Sequence, residues 1–295
     1  MRHAALRTGT LRALPAAGIA CALLATGCAA GQATAARETP QATNSAPAAS
    51  PSPARSSAPP TVTAGPSGQA HRRRLPLAGD VILVDPGHNG GNAAHPEIIN
   101  QLVNVITERK PCDTTGTQTD AGYPEHAFTF DVATRLAGLL RQKGARVVLT
   151  RDSDAGVGPC ITQRAAIGNR ARADAAISIH ADGGPPGGYG FEVIEPGLVP
   201  GYTDKIIAPS RRLGRDIRDA YRAVAGEPYS TYIGAAGTDV RSDLGGLNLS
   251  QVPKVFIECA NMRNGADAAR LTSAAFRQRA AAALADGLAA FLRGG

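Results

Sequence analysis

Val81-Ile82-Leu83-Val84-Asp85-Pro86-Gly87-His88 is the stretch whose reading decides the fold. Four consecutive apolar residues, three of them β-branched, predict a short strand buried on both faces, as in a sheet covered by helices on each side. The chain then turns through Asp-Pro-Gly and presents a histidine. After a long loop over Asn92 to Gly122, a helix is expected from about Pro124 to Lys143, because Phe128, Val132, Leu136 and Leu140 recur every fourth residue. Pro124 suits its first turn and Gly144 its end.

The same rhythm continues downstream. Strands are expected at Arg146 to Thr150, Ala175 to Ile179, Gly190 to Ile194 and Lys254 to Ile257. Helices are expected over Thr162 to Ala173 and Pro209 to Ala225, and a final alanine-rich helix gathers Phe276, Leu284, Leu288 and Leu292 on one face. Strands alternating with helices predict an α/β fold with a largely parallel sheet. No internal repeat interrupts this pattern, and residues 77–295 are long enough for one core. The segment from Pro196 to Gly246 is long enough to hold a lid.

The N-terminal part reads differently. Arg2, Arg7 and Arg12 precede a short apolar run, Ala13 to Leu24, and a small-residue stretch ending in Ala25-Thr26-Gly27-Cys28. That order is an export signal over residues 1–28, too short for a membrane span of about 20 residues. Cys28 resembles the cysteine of a bacterial lipobox, which would anchor the chain to a membrane by a lipid; ordinary cleavage in the same region, giving a freely secreted protein, is the alternative. Residues 29–76 are Ala, Pro, Ser, Thr and Gly with almost nothing large and apolar, the composition of a disordered tether. The location expected is the cell envelope or its outside.

The formal charge is +7, with three of the positive charges in residues 1–28. That moderate excess favours an anionic surface such as a cell wall. No basic stripe interleaved with aromatics argues for nucleic acid. In an oxidising compartment Cys112 and Cys160, both flanked by Pro or Gly, are expected to pair, whereas Cys259 follows an apolar strand and reads as a buried thiol.

Candidate chemistry gathers at the strand ends. His88, His180 and Glu258 each follow one of the predicted strands, and Glu125 opens the first long helix. In open α/β sheets ligands bind beyond the carboxyl ends of the strands, so these groups point at one place. Two imidazoles and a carboxylate are a common ligand set for catalytic zinc, and a further carboxylate is needed to move a proton. Glu125 and Glu258 are the two candidates, and spacing leaves open which does which. His126 is a rival ligand, although a helix turns it about 100° away from Glu125. His95 lies in a polar loop and reads as a surface residue. There is no His-Glu-x-x-His helix, no phosphate-binding Lys-Ser/Thr after the glycine-rich stretches, and no Gly-x-Ser-x-Gly elbow.

These residues, taken together, resemble a family. Asp85-Pro86-Gly87-His88, Glu125 at a helix start, Thr150-Arg151-Asp152, Ser178-Ile179-His180-Ala181-Asp182 and Phe256-Ile257-Glu258-Cys259-Ala260-Asn261 occur in the order of the zinc-dependent N-acetylmuramoyl-L-alanine amidases. The similarity runs from about Val81 to the C-terminus, and the chain looks like the stand-alone exported enzymes of mycobacterial type. It implies a three-layer α/β/α sandwich of the phosphorylase/hydrolase kind, with a mostly parallel mixed sheet. It also implies one Zn2+ per chain on His88, Glu125 and His180, with Glu258 as the catalytic acid/base. The substrate implied is peptidoglycan or a muropeptide, cut at the amide between N-acetylmuramic acid and L-alanine, by a monomer. Two alternatives share the sequence features: another exported zinc hydrolase of cell-wall material, such as a peptidase or deacetylase, and a catalytically silent wall-binding lipoprotein.

Overall fold

The computed structural model describes residues 74–294. The expected export signal, Cys28 and nearly all of the expected tether lie outside the described residues.

Strand β1 (Val81–Pro86) is followed by a 3-10 turn at Asn92–Ala94, a one-turn helix α1 (Pro96–Ile99) and a small hairpin of β2 (Leu102–Asn104) and β3 (Arg109–Pro111). Helix α2 (Glu125–Gln142) leads to β4 (Arg146–Leu149), α3 (Ile161–Ala171), β5 (Ala175–Asp182) and β6 (Glu192–Pro196). Then come α4 (Ile207–Ala220), which runs into a π-type turn at Tyr221–Ala225, β7 (Thr238–Arg241), α5 (Gly245–Asn248), β8 (Lys254–Asn261), α6 (Gly265–Leu271) and α7 (Ala274–Arg293).

Six strands form one sheet in the order β4-β1-β5-β8-β6-β7. Neighbours are parallel except β6 and β8, which run antiparallel, so the sheet is mixed. Helices α2, α4 and α7 cover one face, while α3 and α5 pack on the other. The result is the α/β/α sandwich. Its main core lies under α2 and α7: Phe128, Val132, Leu136 and Leu140 are fully buried, as are Leu284 and Leu288. Burial of each such side chain contributes roughly 1.5–3 kcal/mol, offset by chain entropy.

Several boundaries differ from expectation. Pro124 is the N-cap of α2 rather than part of its first turn, and its extended backbone (ψ 149°) starts the helix one residue later. Helix α3 stops at Arg172, which adopts a left-handed conformation. The stretch from Asn92 to Gly122 is not a structureless loop; it carries α1 and the β2–β3 hairpin, whose three-residue strands are too short to produce a readable period. The segment from Pro196 to Gly246 carries α4, its π-type turn and β7, joined by loops.

The most consequential difference concerns the strand ends. His180 and Glu258 sit inside β5 and β8, not beyond them. Both strands continue because Ser178 and His180, like Phe256 and Glu258, alternate onto one face while their neighbours stay in the core. A register shift between His180 and Asp182 then breaks the ladder, as bulges do beside functional sites. His88 alone follows its strand, in a left-handed turn with φ 57°.

Candidate active site

Three elements deliver three side chains to one rim of the sheet. His88 leaves the end of β1, His180 rises from β5, and Glu125 reaches over from the first turn of α2. Their donor atoms lie within 4.8 Å of one another. Nε2 of His88 is 3.2 Å from Oε2 of Glu125, and Nδ1 of His180 is 2.9 Å from Oε1. The two rings meet edge-on, with centroids 4.8 Å apart, and His180 stacks on Phe256 at 4.0 Å.

Backbone closeness makes this packing feasible. A Cβ at Gly87 would stand 2.0 Å from Cε1 of His180, so only glycine lets the ring lie against the turn. Gly116, at φ +74°, passes over the cluster; a Cβ there would come within 2.8 Å of Oε2 of Glu125. Backbone amides of Thr117 and Ala181 donate to the Glu125 carboxylate at 2.9 and 3.2 Å.

The cluster demands positive charge. Burial opposes ionisation of Glu125, yet His88 and His180 hold its carboxyl well below the usual range. Burial likewise opposes protonation of His88, but Glu125 and then Asp113 outweigh it and push the imidazole up to about 10. Burial lowers His180. Two imidazole nitrogens and a carboxylate converging in a negative, buried setting suit a divalent cation of the zinc type, so the donor set fits the ion that the sequence motifs imply.

Glu258 is placed separately. It is the Cα partner of His180 across β5 and β8, and its Oε2 is buried without a hydrogen-bond partner. Burial, followed by the negative charges of Glu125, Asp182 and Glu192, pushes its carboxyl well above the usual range. A cavity of about 400 Å³ opens over His88, Glu125, His180 and Glu258, walled on one side by Pro111, Ile161 and Leu244.

His126 is not brought into the cluster. Its Nδ1 is 2.8 Å from Oδ2 of Asp154, in keeping with the turn of the helix. His95 is half exposed beside Glu97. Cys112 and Cys160 are joined in a disulfide with Cα atoms 4.4 Å apart. Cys259 is fully buried and free, and burial pushes its thiol up, away from nucleophilic use.

Sequence reasoning missed the supports below the cluster. Arg164 of α3 donates to Asp85 at 3.0 Å, Asn89 at 2.8 Å, Asp113 at 3.0 Å and the carbonyls of Pro86 and His88. Asp85 also receives Lys254, Ser178 and Thr150, all in the interior. Asp113 then meets Nδ1 of His88 at 3.3 Å. Asp113 had one available signal, its position next to a cysteine expected to be bridged. For Lys254, the first residue of an apolar strand, no local pattern announces a buried ion pair.

A covered α/β/α sheet bearing a His–Glu–His cluster and a separate, unpartnered glutamate at one rim defines a hydrolase scaffold. The model of the N-acetylmuramoyl-L-alanine amidase family matches residues 82–290. An N-acetylmuramoyl-L-alanine amidase of Mycobacterium tuberculosis is 43% identical over 216 residues, covering 73% of this chain and 88% of that protein. The crystal structure of the amidase Ami1 from Mycobacterium smegmatis is 42% identical with a TM-score of 0.70, covering 74% of this chain and 99% of the other. Ami1 from Mycobacterium abscessus is 43% identical with a TM-score of 0.68, covering 73% and 100%. The chain belongs to the N-acetylmuramoyl-L-alanine amidase family, and it is an amide hydrolase of peptidoglycan.

Proposed function

We propose that this protein is an exported, monomeric enzyme that uses one Zn2+ on His88, Glu125 and His180 to cut the amide between the lactyl group of N-acetylmuramic acid and L-alanine. Residues 77–295 would form the catalytic domain, joined through the tether of residues 29–76 to an export signal that leaves the chain either free or lipid-anchored at Cys28. The observation that carries the chemistry is the convergence of three donor atoms within 4.8 Å, with the unpartnered carboxyl of Glu258 on the neighbouring strand.

His88, Glu125 and His180 would hold a divalent ion, which would supply Lewis acidity toward a carbonyl and a water of lowered pKa. Glu258 does the proton work. Its carboxylate accepts a proton from the attacking water and passes it to the nitrogen as the C–N bond breaks. At neutral pH the balance is amide plus water giving carboxylate plus ammonium. Phe256 backs the ring of His180 and fixes its plane. The Thr114 carbonyl, at 3.1 Å, and Asp113, at 3.3 Å, take the outward Nδ1 of His88, so that Nε2 faces the cluster.

Product analysis tests the assignment. Purified sacculi digested by the protein should release stem peptides with L-alanine at their N-termini, and a chelator should stop the reaction. Deacetylated sugars or trimmed peptides in place of those products would transfer the protein to the rival zinc-hydrolase reading. Absence of any product would favour the silent wall-binding one.

A further inference from the structure

The two faces of the sheet are filled differently. Under α2 and α7 the core runs the length of the strands, whereas the side facing α3 and α5 holds a small buried cluster of Leu83, Ala173 and Ala176. Asp85, Ser178 and Phe256 are in register across β1, β5 and β8, and His180 and Glu258 follow two residues on, so all five share that second face. Helix α5 is a single turn, Gly245–Asn248, and the cavity of about 400 Å³ stands where a longer helix would cover these residues. Phe256 marks the gap. It is only partly buried, although Val255 and Ile257 beside it on the same interior strand are fully buried.

The walls of this space are apolar and held in place. Pro111 comes from the end of β3, Ile161 from the start of α3, and Leu244 from the residue before α5. The Cys112–Cys160 bridge lies one residue from both Pro111 and Ile161, so it ties two of the walls together. Lys110 and Arg164 are the only lysine and arginine among the described lining residues, and both are taken. Asp243 holds Lys110 at 2.6 Å, while Asp85 and Asp113 each hold Arg164 at 3.0 Å. A stem peptide carries at least its terminal carboxylate, which finds no free cation among these side chains. The N-acetylmuramyl residue is uncharged once its lactyl carboxyl is in the amide bond. Apolar and aromatic walls with few fixed polar groups suit such a ligand. The volume is at the low end of the roughly 300–1,000 Å³ typical of ligand pockets, room for one sugar rather than a stretch of glycan.

We propose that this cavity is the subsite of the N-acetylmuramyl sugar, with Phe256, Pro111, Ile161 and Leu244 as its specificity-determining contacts. The inference rests on the amidase reading above. With the scissile carbonyl at His88, Glu125 and His180, the acyl side of the bond runs down the sheet face toward Phe256, and the sugar ring and acetyl methyl meet the apolar walls. Energy from burying the sugar is drawn on at the reacting amide, so a substrate without it is cut more slowly. Gly246 helps to keep the space open: a Cβ there would meet one atom within 4 Å, Nζ of Lys254 at 3.4 Å.

The test compares two amides of one dipeptide on the metal-loaded full chain. One is N-acetylmuramyl-L-alanyl-D-isoglutamine; the other is the same dipeptide acylated with O-methyl-D-lactate, which keeps the lactyl ether and lacks the sugar. Release of the free dipeptide gives kcat/KM for each. The sugar-bearing amide should be favoured by at least about tenfold, the worth of burying roughly two apolar carbons. Gly246→Val, which fills the cavity, and Leu244→Ala, which removes a wall, should each bring the ratio of the two values down toward one, with metal content near one ion per chain. A general loss of activity does not move that ratio, and Leu244→Ala reports even where Gly246→Val does not fold. A wild-type ratio near one overturns the inference, as does a ratio that neither variant moves. Sacculi cut to L-alanine N-termini by a protein that leaves the sugar-bearing amide intact overturn it too, because one sugar residue should suffice to fill the subsite. Failure to find L-alanine N-termini after digestion of sacculi would instead defeat the amidase reading, so the two failures are separable.

Discussion

Nδ1 of His88 lies 3.3 Å from Oδ1 of Asp113, while Nε2 of the same ring lies 3.2 Å from Oε2 of Glu125. The imidazole is thus held from both sides. Asp113 in turn is gripped by Arg164 at 3.0 Å. Outer partners of this kind orient a metal-binding histidine, and their loss typically costs about 10–100-fold in metal affinity. Asp113→Ala should weaken Zn2+ binding by about that factor in competition with a chromophoric chelator, and Asp113→Asn should recover much of it. Unchanged affinity in the alanine variant would remove Asp113 from the account.

Glu258 carries the proton in the proposed reaction and no part of the metal. Glu258→Gln should lower hydrolysis of sacculi by about 10²–10⁴-fold or more while metal content stays near one ion per chain, about the worth of a positioned general acid/base. Metal analysis alongside turbidity loss of sacculi checks both halves. Full activity would refute the proton-transfer role.

Acid should unfold the protein partly through Asp85. Burial alone would raise its carboxyl, but Lys254 and Arg164, with hydrogen bonds from Ser178 and Thr150, hold it far below the usual carboxylate range. A folded pKa below the unfolded value of about 3.9 adds stability that is present above that pH and lost as pH falls toward the folded value. The wild-type melting temperature should therefore drop steeply below about pH 4, with Asp85 contributing to the slope. Asp85→Asn should be less stable at neutral pH by about 3–5 kcal/mol, since it leaves two buried cations short of a partner, and should show a shallower acid slope. An unchanged slope in the variant would count against this origin.

The Cys112–Cys160 bridge closes a sequence separation of 48 residues. In the chain-entropy view a loop of that length is worth about 4 kcal/mol. Replacing both cysteines with serine should lower unfolding stability by about 2–5 kcal/mol, read from the urea midpoint without reductant. Thiol titration of the native protein should find neither cysteine free.

His126→Ala should leave metal content unchanged, because its imidazole faces Asp154 at 2.8 Å instead of the cluster. Both groups are partly exposed, so the lost pair should cost only about 0–1 kcal/mol. Loss of the ion in this variant would restore His126 as a ligand.

Legibility in the sequence followed the length of the pattern. Helix α2 could be read from Phe128, Val132, Leu136 and Leu140 because four turns repeat one apolar stripe, and β1 from four uninterrupted apolar residues. The β2–β3 hairpin, with three residues per strand, offers no period. Its position depends instead on long-range contacts such as Lys110 Nζ to Asp243 Oδ2 at 2.6 Å and Asn248 Nδ2 to the Val105 carbonyl at 2.9 Å. The polar supports of Asp85, Arg164 and Lys254 were hidden for a related reason. A charge inside an apolar run looks like a boundary until its partner, distant in sequence, is seen beside it.

From its residues alone this chain was committed to alternating strands and helices, and to four groups (His88, Glu125, His180 and Glu258) beside recognisable strands or a helix start. Periodicity and turn chemistry are local, so one dimension suffices to express them. The separation of Glu258 from the cluster that Glu125 joins, and the line of Asp85, Ser178 and Phe256 across three strands, were decided only on folding. Which oxygen faces which nitrogen depends on strand order, register and the reach of α2 over the rim, and those follow from burying the whole core at once.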